Sequence, residues 1–304
     1  MARTLLAVTV AAPWLAWAVV RTAGVAVGPP LSAVIAFTPY AALTSVVPVV
    51  FALLLGRRLV ALAAAAAAVS LIVAVAPRAF GESEAVRDEE PRLTIMSVNL
   101  HVARADPRGV LRLVRERNVD VLAVQESDPL WIARLDAAGA RKVFTDWSIR
   151  PEDEALFSRR PMKETGARNL AEGDVALGGT TVRITVIHPR PPLSGDWVSS
   201  WRQELEAIPD AADVPPGTSR VLAGDFNATL DHRELRNVLD RGYRDAASAV
   251  GAGLKPTWPA DRRLPPMIAI DHVLTSGGIR VLSFGVFDAG DSDHRGIVAE
   301  LAAP

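Results

Sequence analysis

The chain of 304 residues contains no cysteine and has almost no net charge. Without cysteine there is no disulfide to form and no thiol to protect, so an oxidising and a reducing compartment are both compatible with the sequence. From residue 92 onward, 27 Lys and Arg stand against 29 Asp and Glu, a balance of −2. Proteins that bind duplex DNA usually present a basic face, so this balance argues against a nucleic-acid substrate.

Long apolar stretches fill the amino-terminal quarter of the chain. They cover residues 5–20, most of 31–55, and 59–76. A helix needs roughly 17–25 apolar residues to cross a bilayer, so residues 1–76 are predicted to form a transmembrane segment of about three helices. A cleaved signal peptide would account only for the first stretch, and a buried soluble hairpin would need polar faces that these stretches lack.

The charges that flank these stretches predict an orientation. Arg3 and the pair Arg57-Arg58 would lie on one side of the bilayer, with Arg21 and Arg78 on the other. The positive-inside rule favours the cytoplasm for the first side. Three crossings then place the rest of the chain outside. We therefore expect a multi-pass protein of the cell membrane whose carboxyl-terminal domain is extracytoplasmic.

Beyond the apolar stretches the composition changes twice. Residues 77–91 are polar and rich in acid, which predicts a linker. Residues 92–304 alternate short apolar runs with amphipathic helical spacing, the latter at 108–118, 197–208 and 233–239. Strands that alternate with helices predict a mixed α/β domain.

Polar side chains follow the apolar runs at the points where predicted strands end. They are Asn99, Gln125 and Glu126, His188, Asp225 and Asn227, Asp271, and Asp293 with His294. Open α/β sheets commonly place their sites where such strand ends meet. The most informative stretch is 224–227, Gly-Asp-Phe-Asn, because glycine allows a tight turn and alternation directs the acid and the amide to one cleft. Alone, each motif also fits an ordinary turn.

The ordered set resembles the endonuclease/exonuclease/phosphatase superfamily, which includes DNase I-like nucleases, sphingomyelinases and inositol polyphosphate 5-phosphatases. The resemblance covers about residues 92–304, and its most specific parts are 224–227 and 292–294. It implies a four-layer α/β sandwich of two packed mixed sheets with helices outside. It also implies a metal-dependent hydrolase of phosphate esters or pyrophosphates.

A metal site is part of what the resemblance implies, with Mg²⁺ expected and Mn²⁺ as a possible substitute. Glu126 is expected to be the principal ligand, because hard divalent ions prefer carboxylate oxygen. Asn99 and Asp293 are expected beside it. Some family members carry an acid where this chain has His101, so one metal and two metals both stay open. The segment 154–159 lacks the family's usual Asn, so a contact that nucleases make there is expected to be absent.

Five residues are expected to act on the phosphate and on the attacking water. Asp225 is the predicted general base, and Asn227 is the predicted hydrogen-bond donor to the phosphoryl oxygen. His294 is expected to bind or protonate phosphate while Asp271 orients its ring through the other nitrogen. His188 is expected to contact phosphate from the opposite wall.

Residues 188–192, followed by Trp197 and Trp201, also resemble bacterial membrane-anchored family members of the teicoplanin-resistance type. Some of these are linked to glycopeptide antibiotic resistance and to dephosphorylation of an isoprenoid pyrophosphate carrier. The two tryptophans would either contact lipid or pack within the domain.

An anchor raises the effective concentration of the domain at lipid headgroups. The expected function is therefore in-line hydrolysis of a lipid-linked phosphate or pyrophosphate, with the bilayer and a phosphorylated small-molecule or lipid substrate as partners and no obligate protein partner. A membrane-tethered nuclease or phosphodiesterase is the alternative, and a non-catalytic binding module is a third possibility.

Overall fold

Two β-sheets pack face to face in the carboxyl-terminal two thirds of the chain. The computed structural model describes residues 1–25, 28–83, 87, 90–150, 153–165, 170–261, 265–276 and 278–303. The strands are β1 (Arg92–Asn99), β2 (Val121–Gln125), β3 (Asp146–Ile149), β4 (Ala155–Ser158), β5 (Met162–Glu164), β6 (Glu172–Leu177), β7 (Thr180–Ile187), β8 (Thr218–Asp225), β9 (Tyr243–Asp245), β10 (Asp271–Ser276), β11 (Arg280–Asp288) and β12 (Arg295–Ala302).

The helices lie before the sheets in the chain and on the outer faces of both sheets. They are α1 (Ala2–Ala23), α2 (Leu31–Ile35), α3 (Thr38–Thr44), α4 (Val46–Leu54), α5 (Arg58–Val75), α6 (Pro107–Glu116), α7 (Pro129–Ala137), α8 (Gly195–Glu206), α9 (Arg233–Leu239) and α10 (Ala246–Ala249). Asp106 caps α6 by accepting hydrogen bonds from the backbone N–H groups of Arg108 and Gly109, and Pro107 occupies its first turn. The sequence therefore predicted this helix to within two residues at its carboxyl end.

Both sheets contain six strands and one parallel pair among the described residues. The first sheet has the order β11-β12-β1-β2-β4-β3, and the second has the order β5-β6-β7-β8-β10-β9. The parallel pairs are β1 with β2 and β7 with β8, and the other neighbours are antiparallel.

Alternation along the central strands builds four layers. In β1, Leu93 and Ile95 point into the core between the sheets, whereas Met96 and Val98 point out against α6 and α7. In β8, Val221 enters the shared core while Leu222 packs against α8 and α9. A strand buried on both faces carries apolar residues on both, as the sequence of these strands does. The predicted four-layer α/β sandwich is confirmed.

The amino-terminal helices form a separate bundle. Ala7 packs with Ala52 and Ala61 at one end, and Ala18 packs with Ala42 and Leu71 at the other. α1 and α5 therefore run in the same direction and pack against each other, and the segment of α3 and α4 runs beside them in the opposite direction. Small side chains at these contacts let the helices approach closely.

Within the described part of the chain, two helical stretches are long and apolar enough to cross a bilayer, Ala2–Ala23 and Arg58–Ala79. The predicted second crossing, 31–55, is divided into three short helices, and its longest apolar helical stretch is Thr38–Leu54. Thr38 and Ser45 donate hydrogen bonds through their hydroxyls to the carbonyls of Ile35 and Ala42, which satisfies backbone acceptors at the breaks.

A buried ion cluster joins the bundle to the sheets. Asp231 accepts hydrogen bonds from Arg21 Nε at 2.7 Å and from Arg78 Nη1 and Nη2 at 2.8 and 2.6 Å. Burial alone would raise the pKa of the Asp231 carboxyl, but Arg78 and then Arg21 hold that pKa below its usual range. His232 Nε2 lies 2.8 Å from the carbonyl oxygen of Ser32, and the Tyr40 hydroxyl donates to the carbonyl of Met267.

The predicted linker begins within this junction. Residues 76–79 form a 3₁₀ turn that places Arg78 against Asp231. Of the remainder of 77–91, residues 84–86 and 88–89 lie outside the described ranges. The division into 1–76, 77–91 and 92–304 stays a prediction.

Replacing Asp231 with asparagine should destabilise the junction strongly. Two buried guanidinium groups would lose their counter-charge, and breaking a buried pair in this way typically costs about 3–5 kcal/mol. Thermal unfolding of the detergent-solubilised chain measures the effect. The matched control is Glu116→Gln, which removes an exposed pair with Arg112 and should cost no more than about 0.5 kcal/mol. Equal losses in the two variants would show that the cluster does not hold the bundle to the sheets.

Candidate active site

Strand ends from both sheets meet at one edge of the sandwich. Asn99 pairs in register with Gln125 at the ends of the parallel strands β1 and β2. On the second sheet, Asp225 at the end of β8 is directly opposite Asp271 at the start of the antiparallel strand β10. The carboxyl ends of the two parallel pairs lie at this edge. The amino ends of β10 and β12 lie at the same edge.

Asn99 connects the two sheets at this edge. Its Nδ2 donates to Glu126 Oε1 at 3.0 Å and to Asp225 Oδ2 at 3.2 Å. Its Oδ1 accepts from the backbone N–H of His101 at 2.9 Å. The side chain is fully buried, and both N–H donors of its amide serve to fix the positions of two carboxylates.

Backbone geometry aims Glu126 into the cleft. Glu126 has φ +58°, a left-handed conformation that non-glycine residues rarely adopt and that clusters at functional sites. Its Oε2 accepts from the backbone N–H of Val102 at 2.7 Å. The carboxylate is about one quarter exposed, so it is held in place and still open to solvent.

A close approach between β7 and β8 requires glycine before Asp225. A Cβ atom at Gly224 would overlap the backbone carbonyl of Ile187. The sequence predicted that Gly224 permits a tight turn. The structure shows instead that Gly224 allows the parallel strands β7 and β8 to lie close together. This approach brings His188, which follows β7, next to the carboxylates of the cleft.

His294 lies between two carboxylates. Its Nδ1 is 3.0 Å from Asp271 Oδ2, and its Nε2 is 3.6 Å from Asp225 Oδ2. Burial opposes the imidazolium, but the charges of Asp271 and Asp225 outweigh it and raise the pKa of His294 to about 10. Burial raises the pKa of Asp225 to about 6 although the His294 charge lowers it. At neutral pH the pair is a carboxylate beside an imidazolium.

His188 forms the opposite wall. Its Nε2 is 3.7 Å from Glu126 Oε1, and its Nδ1 is 3.5 Å from Asp153 Oδ2. Burial opposes the charge of the ring, but Asp153 and Asp225 outweigh it and raise the pKa of His188 to about 9. Sequence reasoning missed Asp153, because it follows no apolar run and its proximity to His188 arises only from loop packing.

Asn227 stabilises the loop that follows β8. Its backbone N–H donates to Asp225 Oδ1 at 2.8 Å, and its φ is +48°. Its Nδ2 donates to the carbonyl of Pro189 at 2.9 Å, which joins the loops after β8 and β7. An amide nitrogen has two donors, so the second N–H is left for the predicted phosphoryl contact.

Asp293 lies beside the other residues on the outer side of the cleft. Its Oδ1 is 3.5 Å from His101 Nδ1. The neighbouring Ser292 donates through its hydroxyl to the backbone carbonyl of Asn99 at 2.6 Å. The structure thus brings all eight predicted site residues to one edge, while their roles stay predictions.

Residues 96–294 match the model of the endonuclease/exonuclease/phosphatase family. The chain belongs to this family. Family members, which include phosphodiesterases and nucleases, hydrolyse phosphoester bonds, so the chain is a hydrolase of that class, and Mg²⁺ dependence is typical of the family. The chain matches no curated protein.

Three solved structures share the fold. Humanised D. rerio TDP2 carrying 14 mutations is 17% identical, covers 70% of this chain and 99% of its own, and has a TM-score of 0.58. D. rerio TDP2 complexed with single-strand DNA product is 16% identical, with 70% and 99% covered and a TM-score of 0.57. The family protein from Beutenbergia cavernae DSM 12333 is 19% identical, with 70% and 72% covered and a TM-score of 0.52. These structures do not confirm the resemblance to proteins of the teicoplanin-resistance type, which stays a prediction.

The donor atoms at this edge fit a divalent metal of the kind that the family uses. Among the described residues, one group of three acids or histidines has its donor atoms within 4.8 Å of one another: Asp225, Asp271 and His294. Both ring nitrogens of His294 already face carboxylates, so an imidazolium fills this space. Glu126 suits Mg²⁺ better, because this ion commonly takes one or two carboxylates together with water and substrate phosphate.

Two residues outside the cleft, Trp201 and His272, support its loops. Trp201 is buried and donates through Nε1 to the carbonyl of Phe226, so of the two alternatives for this residue the structure shows packing. Trp197 is 43% exposed. His272 faces away from the cleft, as alternation predicts, and contacts Asp245 and the carbonyl of Ala228.

The metal position can be tested by binding Mn²⁺ to two variants. If Glu126 is the principal ligand, Glu126→Gln should raise the Kd for Mn²⁺ roughly tenfold or more, which is about 1.4 kcal/mol. Asp271→Asn should then have a much smaller effect. Isothermal titration calorimetry provides the Kd values, with Glu116→Gln as the surface control. The reverse order of the two effects would place the metal between Asp225, Asp271 and His294.

His272 should make stability depend on pH. Burial opposes its charge, but the hydrogen bond to Asp245 outweighs burial and raises the His272 pKa. Its contribution is therefore complete below the ordinary imidazole pKa of about 6.5, and it is lost as pH rises through the higher folded-state pKa. The Tm difference between wild type and His272→Gln should shrink steadily above about pH 6.5. A difference that grows with pH would contradict this assignment.

Proposed function

We propose that this chain is a multi-pass membrane phosphohydrolase that removes phosphate from a lipid-linked phosphate or pyrophosphate with the help of Mg²⁺. The observation that carries the proposal is the ion cluster of Asp231 with Arg21 and Arg78. Asp231 lies four residues after Asn227, so the cluster attaches the phosphate-site loop directly to the apolar helices. A polymer diffusing in solution would gain little from this arrangement, whereas a substrate held in the bilayer gains proximity.

Asp225 is the group that takes the proton of the attacking water. Asn99, the backbone N–H of Asn227 and His294 hold its two oxygens in a fixed orientation. The water oxygen forms a bond to phosphorus, its proton moves to Asp225, and the opposite phosphorus–oxygen bond breaks to release the leaving group. A bound Mg²⁺ at Glu126 would neutralise charge on the phosphoryl oxygens.

Two cationic side chains flank the space above Asp225. His294 and His188 are both charged at neutral pH because their pKa values are raised. Both would attract the phosphoryl group and stabilise the negative charge that grows on it, and the second Asn227 N–H would donate to one of its oxygens. Asp271 would keep the His294 ring oriented through Nδ1.

The helical bundle supports insertion in a bilayer. Its outward side chains are large and apolar, with Leu43, Leu54 and Leu59 each about four fifths exposed. Only 17% and 33% of the residues in the two spanning stretches are buried, whereas a core helix of a soluble protein is mostly buried. An exposed apolar surface of this kind supports an apolar environment around the bundle.

The direction of the helices supports three crossings and an extracytoplasmic domain. Arg21 and Arg78 lie at the catalytic end of the bundle and pair with Asp231. Arg3 and the pair Arg57-Arg58 lie at the opposite end, which the positive-inside rule assigns to the cytoplasm.

Phosphate release from a polyprenyl pyrophosphate in detergent tests the proposal. Wild type should release phosphate with Mg²⁺ and stop when EDTA is added. Asp225→Asn and His294→Ala should each lower kcat by roughly 10²–10⁴-fold, the usual contribution of a positioned acid or base. Asp240→Asn, an exposed acid at the carboxyl end of α9, is the matched control and should retain full rate. No metal-dependent release from any lipid phosphate would refute the proposal.

A membrane-tethered nuclease or phosphodiesterase is the second candidate. The observation in its favour is the fold shared with D. rerio TDP2, which was solved with single-strand DNA product. The charge balance of −2 beyond residue 92 opposes it. Incubation of the same preparation with plasmid and single-stranded DNA separates the two candidates, because only the nuclease would cleave these polymers at rates comparable with a lipid phosphate.

A further inference from the structure

A cavity of about 540 Å³ lies between the helical bundle and the sheets. Its bundle side consists of α3 and the end of α5, with Leu43 and Ile72 among its lining residues. Its other side consists of the loop that follows Asn227 and the loop that precedes Asp271, including Leu230 and Ala269. Ligand-binding cavities in proteins commonly have volumes of this order.

The lining chemistry excludes a charged occupant. Apart from Arg78 and Asp231, the lining side chains are uncharged, and most are aliphatic. Arg78 directs both terminal nitrogens of its guanidinium at Asp231, which also accepts from Arg21, so the two charged lining groups already have partners. A polar ligand would lose its hydration here without gaining partners, which makes an apolar group the favoured occupant.

The cavity lies next to the catalytic cleft. Leu230 follows Asn227 by three residues, and Ala269 precedes Asp271 by two. An extended chain spans at most about 3.6 Å per residue, so these walls lie within roughly 7–11 Å of the site residues. A flexible chain attached to a phosphate in the cleft could reach the cavity.

The cavity is also continuous with the apolar outer surface of the bundle. Leu43 is 78% exposed, Ile72 is 48% exposed and Leu254 is 39% exposed, and all three contribute to the cavity lining. Leu43 and Ile72 thus line the cavity and also belong to the apolar outer surface of the bundle, and Leu254 extends this exposed apolar rim onto the loop after α10. An apolar chain can pass from the bilayer into the cavity without crossing water.

We propose that this cavity binds the part of the substrate's apolar chain that is nearest to the phosphate. This inference rests on the proposed function, since it requires that the cleft accept a phosphate attached to such a chain. It adds a specificity element: substrates are selected by the apolar segment adjoining the phosphate as well as by the phosphate itself.

Binding of methylphosphonate and octylphosphonate to the full chain tests the cavity. Each buried methylene should tighten binding roughly threefold to fourfold, so octylphosphonate should bind wild type at least about tenfold more tightly than methylphosphonate. Ala269→Phe places a ring in the cavity and should weaken octylphosphonate binding about tenfold while leaving methylphosphonate unchanged. Isothermal titration calorimetry in detergent with Mg²⁺ measures all four Kd values.

The matched control is Ala66→Phe, which adds the same ring at an exposed position of α5 outside the cavity. It should leave both Kd values unchanged. Leu254→Asn is a second cavity variant that alters an exposed side chain, so it tests the proposal even if Ala269→Phe does not fold. Identical behaviour of the cavity variants and the control, or equal binding of the two phosphonates, would overturn the cavity proposal.

Hydrolysis separates failure of this proposal from failure of the proposed function. If octyl diphosphate binds with the expected selectivity but is not hydrolysed, the cavity proposal is supported and the proposed hydrolysis of lipid-linked phosphates is refuted. If methyl and octyl diphosphates are hydrolysed with equal kcat/KM, and Ala269→Phe changes neither value, the phosphohydrolase proposal is supported and the cavity proposal is refuted.

Discussion

The buried amide of Asn99 is the interaction on which the cleft depends. It donates to a carboxylate from each sheet, Glu126 on the first and Asp225 on the second. Two carboxylates repel each other when they are brought together without a donor between them. Because a neutral amide supplies hydrogen bonds to both, the sheets can close over a shared core and still present both acids at one edge.

Charge alternates from this amide outward. The charged groups form two rows in which negative, positive and negative groups follow one another. One row is Asp271, His294 and Asp225, and the other is Glu126, His188 and Asp153. Each histidine lies between two acids, and the neighbouring carboxylates raise the pKa values of His294 and His188. Under the proposed function, a phosphoryl group entering between the two rows would meet two imidazolium groups, and Asp225 would accept a proton.

The loop after β8 contributes residues both to the cleft and to the junction with the helical bundle. Its first residues, Asp225 and Asn227, belong to the cleft, and Asp231 belongs to the junction with the helices. His272 and Trp201 support the same loop from beneath by contacting the carbonyls of Ala228 and Phe226. A movement of the helical bundle would therefore reach the Asp225 carboxylate, the proposed general base, through a short and well-packed segment.

Sequence alone determined the fold class, the order of the strands that end in polar residues, and the identity of most side chains in the cleft. The mixed α/β class and the strand ends follow from local periodicity, because alternation and helical spacing are set within a few residues. The four-layer sandwich and the roles expected of the cleft residues came from the resemblance to a known superfamily. Helix breaks within 31–55 were less predictable, since they depend on how the bundle packs.

Only the tertiary structure decided which distant residues meet. Asp153 beside His188, the pairing of Asp231 with Arg21 and Arg78, and the cavity between bundle and sheets have no local signature. Arg21 and Asp231 are 210 residues apart, and nothing in the residues near either one specifies the other. Such contacts are fixed by the direction in which helices and sheets pack, which is a property of the whole chain.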